Sequence, residues 1–224
     1  MTRTALFDAI RPYAPERRFT PAHVKAIDDL ADMLGVDKVG ADPLTQRAAA
    51  ELIGHEAIVL EAYKDSVGVW TWGIGLTAAS GVDPLAFKDK PADLAQALKA
   101  FVNVTRRRYV PAVLEAFGGR PLSEAQFAAA LSFHYNTGAI KRTEWVTLWL
   151  AGRTREARAF LEGHYLNGGT LTDRRNKEAA LFFDGRWSSD GMALIVPVAK
   201  PSYQPAFSRA RRISITNPLA EAMA

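Results

Sequence analysis

The chain has 224 residues, of which 48% are apolar, 23% are charged and none is cysteine. This length permits one large domain or a domain with appendages, and no apolar run approaches the ~18 residues of a membrane-spanning helix. The lack of cysteine excludes a disulfide framework and a thiolate nucleophile, whereas the net charge of +4 favours anionic partners without choosing among nucleic acid, anionic lipid and an acidic cell-wall polymer.

The first 40 residues predict a small helical extension. In the segment TPAHVKAIDDLADMLG, Thr20 is a candidate N-cap, Pro21 suits the first helical position, and apolar residues recur at helical spacing up to a candidate C-cap at Gly35. The break that follows contains Gly and Pro and places a domain boundary near residue 40. Residues 1–18 lack the long apolar stretch of a secretory signal, so we expect them to be folded.

A helical core with one early β-hairpin is predicted for residues 41–187. Asp42 and Pro43 restart a helix that we expect to run through Glu56, and the run WTWGIG then predicts the returning strand of a hairpin. Asp93 begins a long helical pattern, and further helical patterns follow up to NKEAALFFDGRW, the predicted last core helix.

Residues 188–224 predict a C-terminal extension that is packed on the core or trails from it. The helical pattern weakens here, and four prolines and the basic run RARR predict an extended arm. Together with the core pattern, this predicts an α+β fold that is mostly helical.

No motif predicts a metal or another cofactor. The four histidines are scattered and lack the spacing of metal ligands. The chain contains no P-loop, HExxH or GxSxG sequence, and GIG lacks the third glycine of a dinucleotide fingerprint. The basic run TRRRY, residues 105–109, fits either a solvated helix face or a contact with phosphate.

The stretch HEAIVLEAYKDSVGVWTWGIG brings two carboxylates close in sequence. On the predicted helix, Glu56 shares a face with Leu52 and Ile53, so partial loss of hydration favours its protonated form. Asp65 lies in a polar turn and is expected to stay ionised, and Thr71 on the returning strand offers a hydroxyl to a water molecule. Such a pair suits an acid/base glycosidase, but helix ends and turns carry acidic residues for structural reasons too. Spacing alone leaves both interpretations open.

The same residues carry a resemblance. Glu56, Asp65 and Thr71, separated by eight and five residues within EAYKDSVGVWTWGIG, resemble the catalytic signature of the phage-type lysozymes, glycoside hydrolase family 24, which includes the lysozyme of T-even phages. Downstream, LSEAQFAAALSFHYNTGAI and NGGTLTDRRNKEAALFFDGRW are similar to two further segments of that family. The resemblance covers roughly residues 44–187.

The resemblance implies a two-lobed fold, with the hairpin in a small lobe, a long linking helix near residues 93–110 and a helical C-terminal lobe. It implies an endolysin that hydrolyses the β-1,4 bond between N-acetylmuramic acid and N-acetylglucosamine in peptidoglycan during host cell lysis. It also implies that the protein needs no cofactor. We expect a monomer whose partners are glycan strands, with no nucleic acid and no membrane insertion. It would stay in the host cytoplasm until a separate membrane lesion releases it to the wall.

By motif position, the resemblance makes Glu56 the general acid, and Asp65 with Thr71 would orient the attacking water. Arg174 aligns with a family arginine that pairs with the catalytic glutamate. Two further residues fall where the family lines its cleft: Tyr135 and Asn136.

The chain departs from the family in three places. Leu76 stands where a histidine commonly follows the Gly-x-Gly sequence. The segment from Gly168 to Arg174 is a few residues shorter than in many relatives. Residues 1–40 and 188–224 lie outside the resemblance, and we expect them to be additional packing or an element that binds the wall or a partner.

Three alternatives remain at this stage: a related enzyme and two binding proteins of other classes. A lytic transglycosylase uses one acid and no water, so the expected water site of Asp65 and Thr71 disfavours it. A non-catalytic protein that binds the cell wall would need only the basic surface and a cleft. A nucleic-acid binder is the weakest alternative, because it depends on the charge and the arginine runs alone.

Overall fold

A computed structural model of the protein describes residues 3–33 and 42–224, which belong to two units. The first unit contains the described residues of Met1–Pro43 together with Gly119–Ser123, and the second contains Leu44–Gly118 and Glu124–Ala224. The predicted boundary near residue 40 and the predicted C-cap Gly35 lie outside the described residues. No helix in the two described ranges has the length and apolar character needed to cross a membrane.

In its described residues, the first unit has two α-helices, α1 (Arg3–Ile10) and α2 (Pro21–Met33). The hydroxyl of Thr20 accepts a 3.2 Å hydrogen bond from the backbone N–H of His23, which confirms the predicted helix start. Leu6, Ile27 and Ala31 form the apolar core of this unit.

The second unit is mostly helical. A long helix runs through it as α4 (Leu94–Val104), one π-helical turn (Thr105–Tyr109) and α5 (Val110–Ala116). Asp93 caps its start by accepting a hydrogen bond from the N–H of Gln96, as predicted. The other helices of the unit are α3 (Gln46–Gly54), α6 (Glu124–Thr137), α7 (Glu144–Leu150), α8 (Thr154–Gly163), α9 (Thr172–Asp184) and α10 (Thr216–Met223).

A small sheet lies in the same unit. Its strands are β1 (Ala57–Lys64), β2 (Trp70–Gly73), β3 (Leu76–Thr77), β4 (Met192–Ile195) and β7 (Arg211–Ser214), arranged in the order β3-β2-β1-β4-β7. The predicted hairpin is the antiparallel pair β1–β2, and β4 lies parallel to β1 on the other side. A separate ribbon joins β5 (Val198–Ala199) to β6 (Gln204–Pro205). The predicted α+β class, mostly helical with a small β-hairpin, is confirmed.

The predicted helix through Glu56 is shorter than expected. The observed α3 begins after Thr45, whose hydroxyl accepts from the N–H of Ala48, and it ends at Gly54. Glycine lowers helix propensity, and the β-branched run that follows favours a strand. Glu56 therefore lies in the link between α3 and β1, so the argument from an apolar helical stripe is wrong.

The predicted extended C-terminal arm is also wrong in part, since this segment forms β4 to β7 and then α10, which packs against α4 and α3. The prolines occupy positions that tolerate a missing N–H: Pro205 lies in the short ribbon strand β6, and Pro218 lies in the first turn of α10. Leu219 is fully buried and fixes the helix.

The arginines of the TRRRY run all contact backbone carbonyls. Arg106 donates to Met223 O at 3.2 Å, Arg107 donates to Asn103 O, and Arg108 donates to Ala79 O. Arg106 thereby ties the π-helical turn to the end of α10, which supports a structural role for the run.

Candidate active site

Glu56 is bound by a residue from the distant helix α9. Its Oε1 accepts a 2.6 Å hydrogen bond from Nη1 of Arg174. The Glu56 side chain is 22% exposed and that of Arg174 is 8% exposed, so water screens this ion pair only partly. The structure confirms the predicted contact between these two residues.

A buried network fixes Arg174 in turn. Its Nε donates to Glu178 Oε1 at 3.1 Å, and its Nη2 donates to the backbone oxygen of Ser132 at 3.1 Å. Glu178 also accepts from Ser132 Oγ at 2.7 Å and from Arg175. Burial lowers the pKa of Arg174, but the charges of Glu56 and Glu178 outweigh burial and raise it. Arg174 is therefore a permanent cation held in one orientation beside Glu56.

Asp65 opens the turn of the β1–β2 hairpin. Its Oδ1 accepts hydrogen bonds from the N–H groups of Val67 at 3.0 Å and Val69 at 2.8 Å. Gly68 has a φ of +87°, which a residue with a Cβ adopts only under strain, so glycine suits this turn. The carboxylate of Asp65 is thus oriented by the backbone of its own turn.

Thr71 lies opposite Tyr63 in the register of the hairpin. Its side chain is almost fully buried, and its hydroxyl donates to Val69 O at 3.1 Å. Because that bond uses the hydroxyl hydrogen, the oxygen of Thr71 can act as an acceptor, for example from a water molecule.

Tyr63 connects the three predicted catalytic residues. Directly opposed residues of an antiparallel pair project to the same face of the sheet, so the side chains of Tyr63 and Thr71 are neighbours. Burial, followed by the negative charges of Glu56 and Asp65, raises the pKa of Tyr63. In the structure, Tyr63 lines one cavity together with Glu56. Tyr63 also lies opposite Thr71 in the hairpin and precedes Asp65 by two residues.

Two more tyrosines have raised pKa values to which the charge of Glu56 contributes. Burial raises the pKa of Tyr135 first, and the charge of Glu56 raises it further. The Tyr135 hydroxyl donates to Ile74 O, and its ring lies 4.6 Å from that of Tyr109. Burial also raises the pKa of Tyr109, with Glu56 as a lesser contributor. At neutral pH all three phenols are protonated and can donate hydrogen bonds.

The predicted cleft residue Asn136 and the departure at Leu76 have clear structural settings. Asn136 is exposed, and its Oδ1 accepts a hydrogen bond from Arg175, which joins it to the Glu178 network. Leu76 is fully buried in an apolar cluster with Trp72 and Ala97. It is a core residue that brings no polar group to Asp65.

Gly75 ends the hairpin motif beside Tyr135. Its φ of +70° is a backbone conformation that favours glycine. A Cβ at this position would lie 3.5 Å from Cε1 of Tyr135, which is an ordinary contact distance. The glycine is therefore explained by the backbone conformation and not by crowding against the tyrosine.

The residues that the sequence analysis missed are Tyr63, Tyr109, Arg175 and Glu178. Tyr63 precedes Asp65 by two residues, so strand alternation could have placed it on the same face as the predicted site. Tyr109 carried no signal, because a π-helical turn, which shifts the face that following residues occupy, is not visible in the sequence pattern.

Among the described residues, no group of three or more histidine or acidic side chains is arranged to hold a metal ion. Burial, assisted by the charges of Lys141 and Arg142, lowers the pKa of His134 to about 4. His134 is therefore neutral at neutral pH, and its ring lies 5.4 Å from that of Tyr109.

Comparisons with known proteins extend these findings. The model of the phage lysozyme family matches residues 54–178, which is more than half of the chain and includes Glu56, Asp65, Thr71 and Arg174. No curated protein is detectably similar to the chain in sequence.

Solved structures show the same fold. An endolysin from the Escherichia coli O157:H7 phage FAHEc1 is 24% identical with a TM-score of 0.53, and the match covers 65% of this chain and 96% of the endolysin. A mutant of P22 lysozyme is 20% identical with a TM-score of 0.51, and the match covers 62% of this chain and 96% of that lysozyme. The muramidase domain of SpmX from Asticaccaulis excentricus is 26% identical with a TM-score of 0.46 over 61% of this chain and 95% of the domain. The first two confirm the predicted lysozyme-like fold.

Proposed function

The chain belongs to the phage lysozyme family, and from this premise we propose that it is an endolysin muramidase that hydrolyses the β-1,4 bond between N-acetylmuramic acid and N-acetylglucosamine in peptidoglycan. The observation that carries the proposal is the 2.6 Å bond between Arg174 and Glu56. It joins two parts of the predicted signature that lie 118 residues apart in sequence. A solvated surface glutamate would have no need of a buried partner.

Glu56 is the general acid in this proposal. Arg174 binds Oε1, so Oε2 is the oxygen that can carry a proton to the glycosidic oxygen of the leaving sugar. A carboxylic acid that protonates this oxygen while the C–O bond breaks lowers the barrier to hydrolysis. The fixed guanidinium then stabilises the carboxylate that remains after the proton has left.

Asp65 and Thr71 orient the attacking water. The two backbone bonds to Oδ1 of Asp65 fix its carboxylate, and the Thr71 oxygen is available as an acceptor. A water that donates one hydrogen to each group would present its lone pair to the anomeric carbon. Asp65 is the base that assists the loss of the water proton as the new C–O bond forms.

The tyrosine and asparagine side chains complete the proposed cleft. Tyr63 and Tyr109 are protonated donors that can bind sugar oxygens, whereas Tyr135 uses its hydroxyl on Ile74 and supports the others by packing. Asn136 is exposed and keeps its amide N–H groups for substrate while its oxygen binds Arg175.

Clearing of permeabilised Gram-negative cells by wild type and the variant Glu56→Gln tests the proposal. Glutamine keeps the shape and the acceptor for Arg174 but has no transferable proton, so we expect an unchanged circular dichroism spectrum and loss of clearing. Glu115→Gln is the matched control, because Glu115 is exposed and pairs with Lys141 at the surface. Undiminished clearing by Glu56→Gln would rule the assignment out.

A second readout separates catalysis from binding. Wild type should release reducing ends from purified sacculi, and Glu56→Gln should bind the sacculi without releasing any. Wild-type protein that binds sacculi but releases no reducing ends would support a non-catalytic wall-binding protein instead.

We also propose a role in host cell lysis that depends on access to the wall. Expression inside a bacterial host should cause lysis only when the inner membrane is permeabilised. Lysis without a membrane lesion would contradict this route.

A further inference from the structure

A cavity of about 310 Å³ lies directly beside the proposed general acid. One side of it is formed by Glu56, Val59 and Tyr63 of the core, and the other side is formed by the C-terminal segment. The residues that this segment contributes are Leu194, Pro205 and Phe207. They lie outside residues 54–178, which the family model matches.

The C-terminal segment is attached at both ends of β1. At the start of β1, β4 pairs with Ala57 and Ile58 in parallel. At its end, the N–H of Lys64 donates to Tyr203 O at 2.8 Å. Residues 194–207 therefore follow β1 along its length, which explains why they form a wall of the cavity next to Glu56 and Tyr63.

The segment also has a firm attachment where it leaves the core. The buried carboxylate of Glu51 accepts hydrogen bonds from the N–H groups of Ser188 and Ser189 and from the hydroxyl of Ser188. The position of this cavity wall is therefore fixed by three sets of contacts: those of Glu51 ahead of β4, the pairing of β4 with β1, and the bond from Lys64 to Tyr203 after β4.

Phe207 is an exposed aromatic residue on an ordered turn. Phe207 is 61% exposed. The backbone around it is fixed, because Ala206 N–H donates to Pro197 O at 2.8 Å and Ala210 N–H donates to Phe207 O at 3.0 Å. An exposed apolar ring that is held in place beside a cavity with polar groups is typical of a binding surface and not of a mobile loop.

The two walls of the cavity differ in chemistry. The core wall carries the polar groups, namely the carboxyl group of Glu56, the protonated phenol of Tyr63 and the ring of His55, beside the small apolar residues Ala57 and Val59. The C-terminal wall is apolar throughout, with two aliphatic side chains and an aromatic ring. A pyranose ring has a matching division, with hydroxyl groups at its edge and C–H bonds on its faces. The volume is at the lower end of the range of about 300–1,000 Å³ for ligand pockets, which suits one sugar unit.

We propose that Leu194, Pro205 and Phe207 form a saccharide subsite that extends the cleft beyond the family's core, with Phe207 packing on a sugar face of the glycan strand. The inference rests on the proposed function in one respect, namely that the occupant is a peptidoglycan glycan. Phe207 selects and holds the strand next to the scissile bond and takes no part in proton transfer.

Binding measurements in the inactive Glu56→Gln background test the subsite without relying on catalysis. The probe is soluble glycan strands freed of stem peptides by an amidase, and the readout is direct titration. Strands that retain their stem peptides are titrated for comparison. Phe207→Ala should weaken binding roughly two- to ten-fold, which is the usual contribution of one aromatic contact. Phe207→Trp should restore binding, and the exposed apolar residue Leu114, changed to Ala, is the control.

Kinetics in the active background give a second readout. Phe207→Ala should raise KM for soluble glycan by a similar factor and change kcat less, because the ring contacts substrate away from the reacting atoms. Equal binding and equal KM for wild type and Phe207→Ala would overturn the subsite. A loss confined to strands that carry stem peptides would also overturn it, since the occupant would then be a peptide.

The two proposals can fail separately. If wild type hydrolyses nothing but binding to peptide-free glycan still depends on Phe207, the subsite stands and the muramidase assignment fails. If hydrolysis depends on Glu56 and is insensitive to Phe207, the reverse holds.

Discussion

The two proposed catalytic carboxylates are held in opposite ways. Glu56 depends on Arg174, which depends on Glu178 and Ser132, so this region is assembled from residues far apart in sequence. Asp65 depends on the N–H groups of its own turn, two and four residues away. Changes in α9 should therefore impair the orientation of Glu56 severely, whereas the orientation of Asp65 should respond only to changes within its own turn.

The largest effect on stability is expected from Glu178→Gln, which disrupts the buried network that holds Arg174 beside Glu56. The substitution leaves the buried guanidinium groups of Arg174 and Arg175 without their shared carboxylate. Loss of one partner from a buried ion pair costs about 3–5 kcal/mol, so the free energy of unfolding in urea should fall by that order. The exposed pair of Arg153 and Glu156 provides the control, and Glu156→Gln should give no measurable change. Equal stability of the two variants would contradict the buried network.

The next effect is a pH dependence of stability that is due to Glu51. Its carboxylate also joins two segments that lie far apart in sequence. Burial would raise the pKa of Glu51, but the contact with His55 and the hydrogen bonds from Ser188 and Ser189 outweigh it and lower the pKa from 4.5 to about 2. A lowered pKa means that the stabilisation is complete above about pH 4.5 and is lost as the pH falls towards 2. The shift corresponds to about 3 kcal/mol.

Urea unfolding of wild type and Glu51→Gln across this range isolates that contribution, because all other acids titrate in both proteins. The stability difference between them should be largest at neutral pH and should shrink between about pH 4.5 and pH 2. A difference that stays constant with pH would show that the Glu51 carboxylate is not stabilised in its ionised form.

The smallest of these effects is expected from a substitution at Thr71 in the hairpin, where the consequences should be local. Thr71→Val keeps the shape of the side chain and removes the proposed acceptor for water, so kcat should fall on the order of ten- to a hundred-fold with little change in KM. Thr71→Ser retains the hydroxyl and should keep most activity. Loss of activity in both variants, with the fold intact, would point to packing and not to the hydroxyl.

The sequence predicts the hairpin around Asp65 well and the surroundings of Glu56 poorly. Asp65, Gly68 and Thr71 lie within a few residues of one another, so turn chemistry and strand alternation place them correctly. Helix propensity misplaced Glu56 because Gly54 ends α3 before it. Only the resemblance to a family pointed to Arg174.

The remaining misses share one physical cause. Glu178 and Ser132 are 46 residues apart, and Ser188 and Glu51 are 137 residues apart, so no local pattern reports their pairing. The parallel pairing of β4 with β1 is equally non-local, which is why residues 188–224 were interpreted as an arm. The roles of Tyr135 and Asn136 in substrate binding stay predictions.

Mass spectrometry of the fragments that wild type and Glu56→Gln release from purified sacculi tests whether Glu56 is the acid of a hydrolytic muramidase. We expect wild type to release muropeptides with intact reducing ends, each one water heavier than the anhydro form, and we expect Glu56→Gln to release none. Anhydro products from wild type would replace hydrolysis with transglycosylation, and undiminished hydrolytic products from Glu56→Gln would contradict the assignment of Glu56 as the acid.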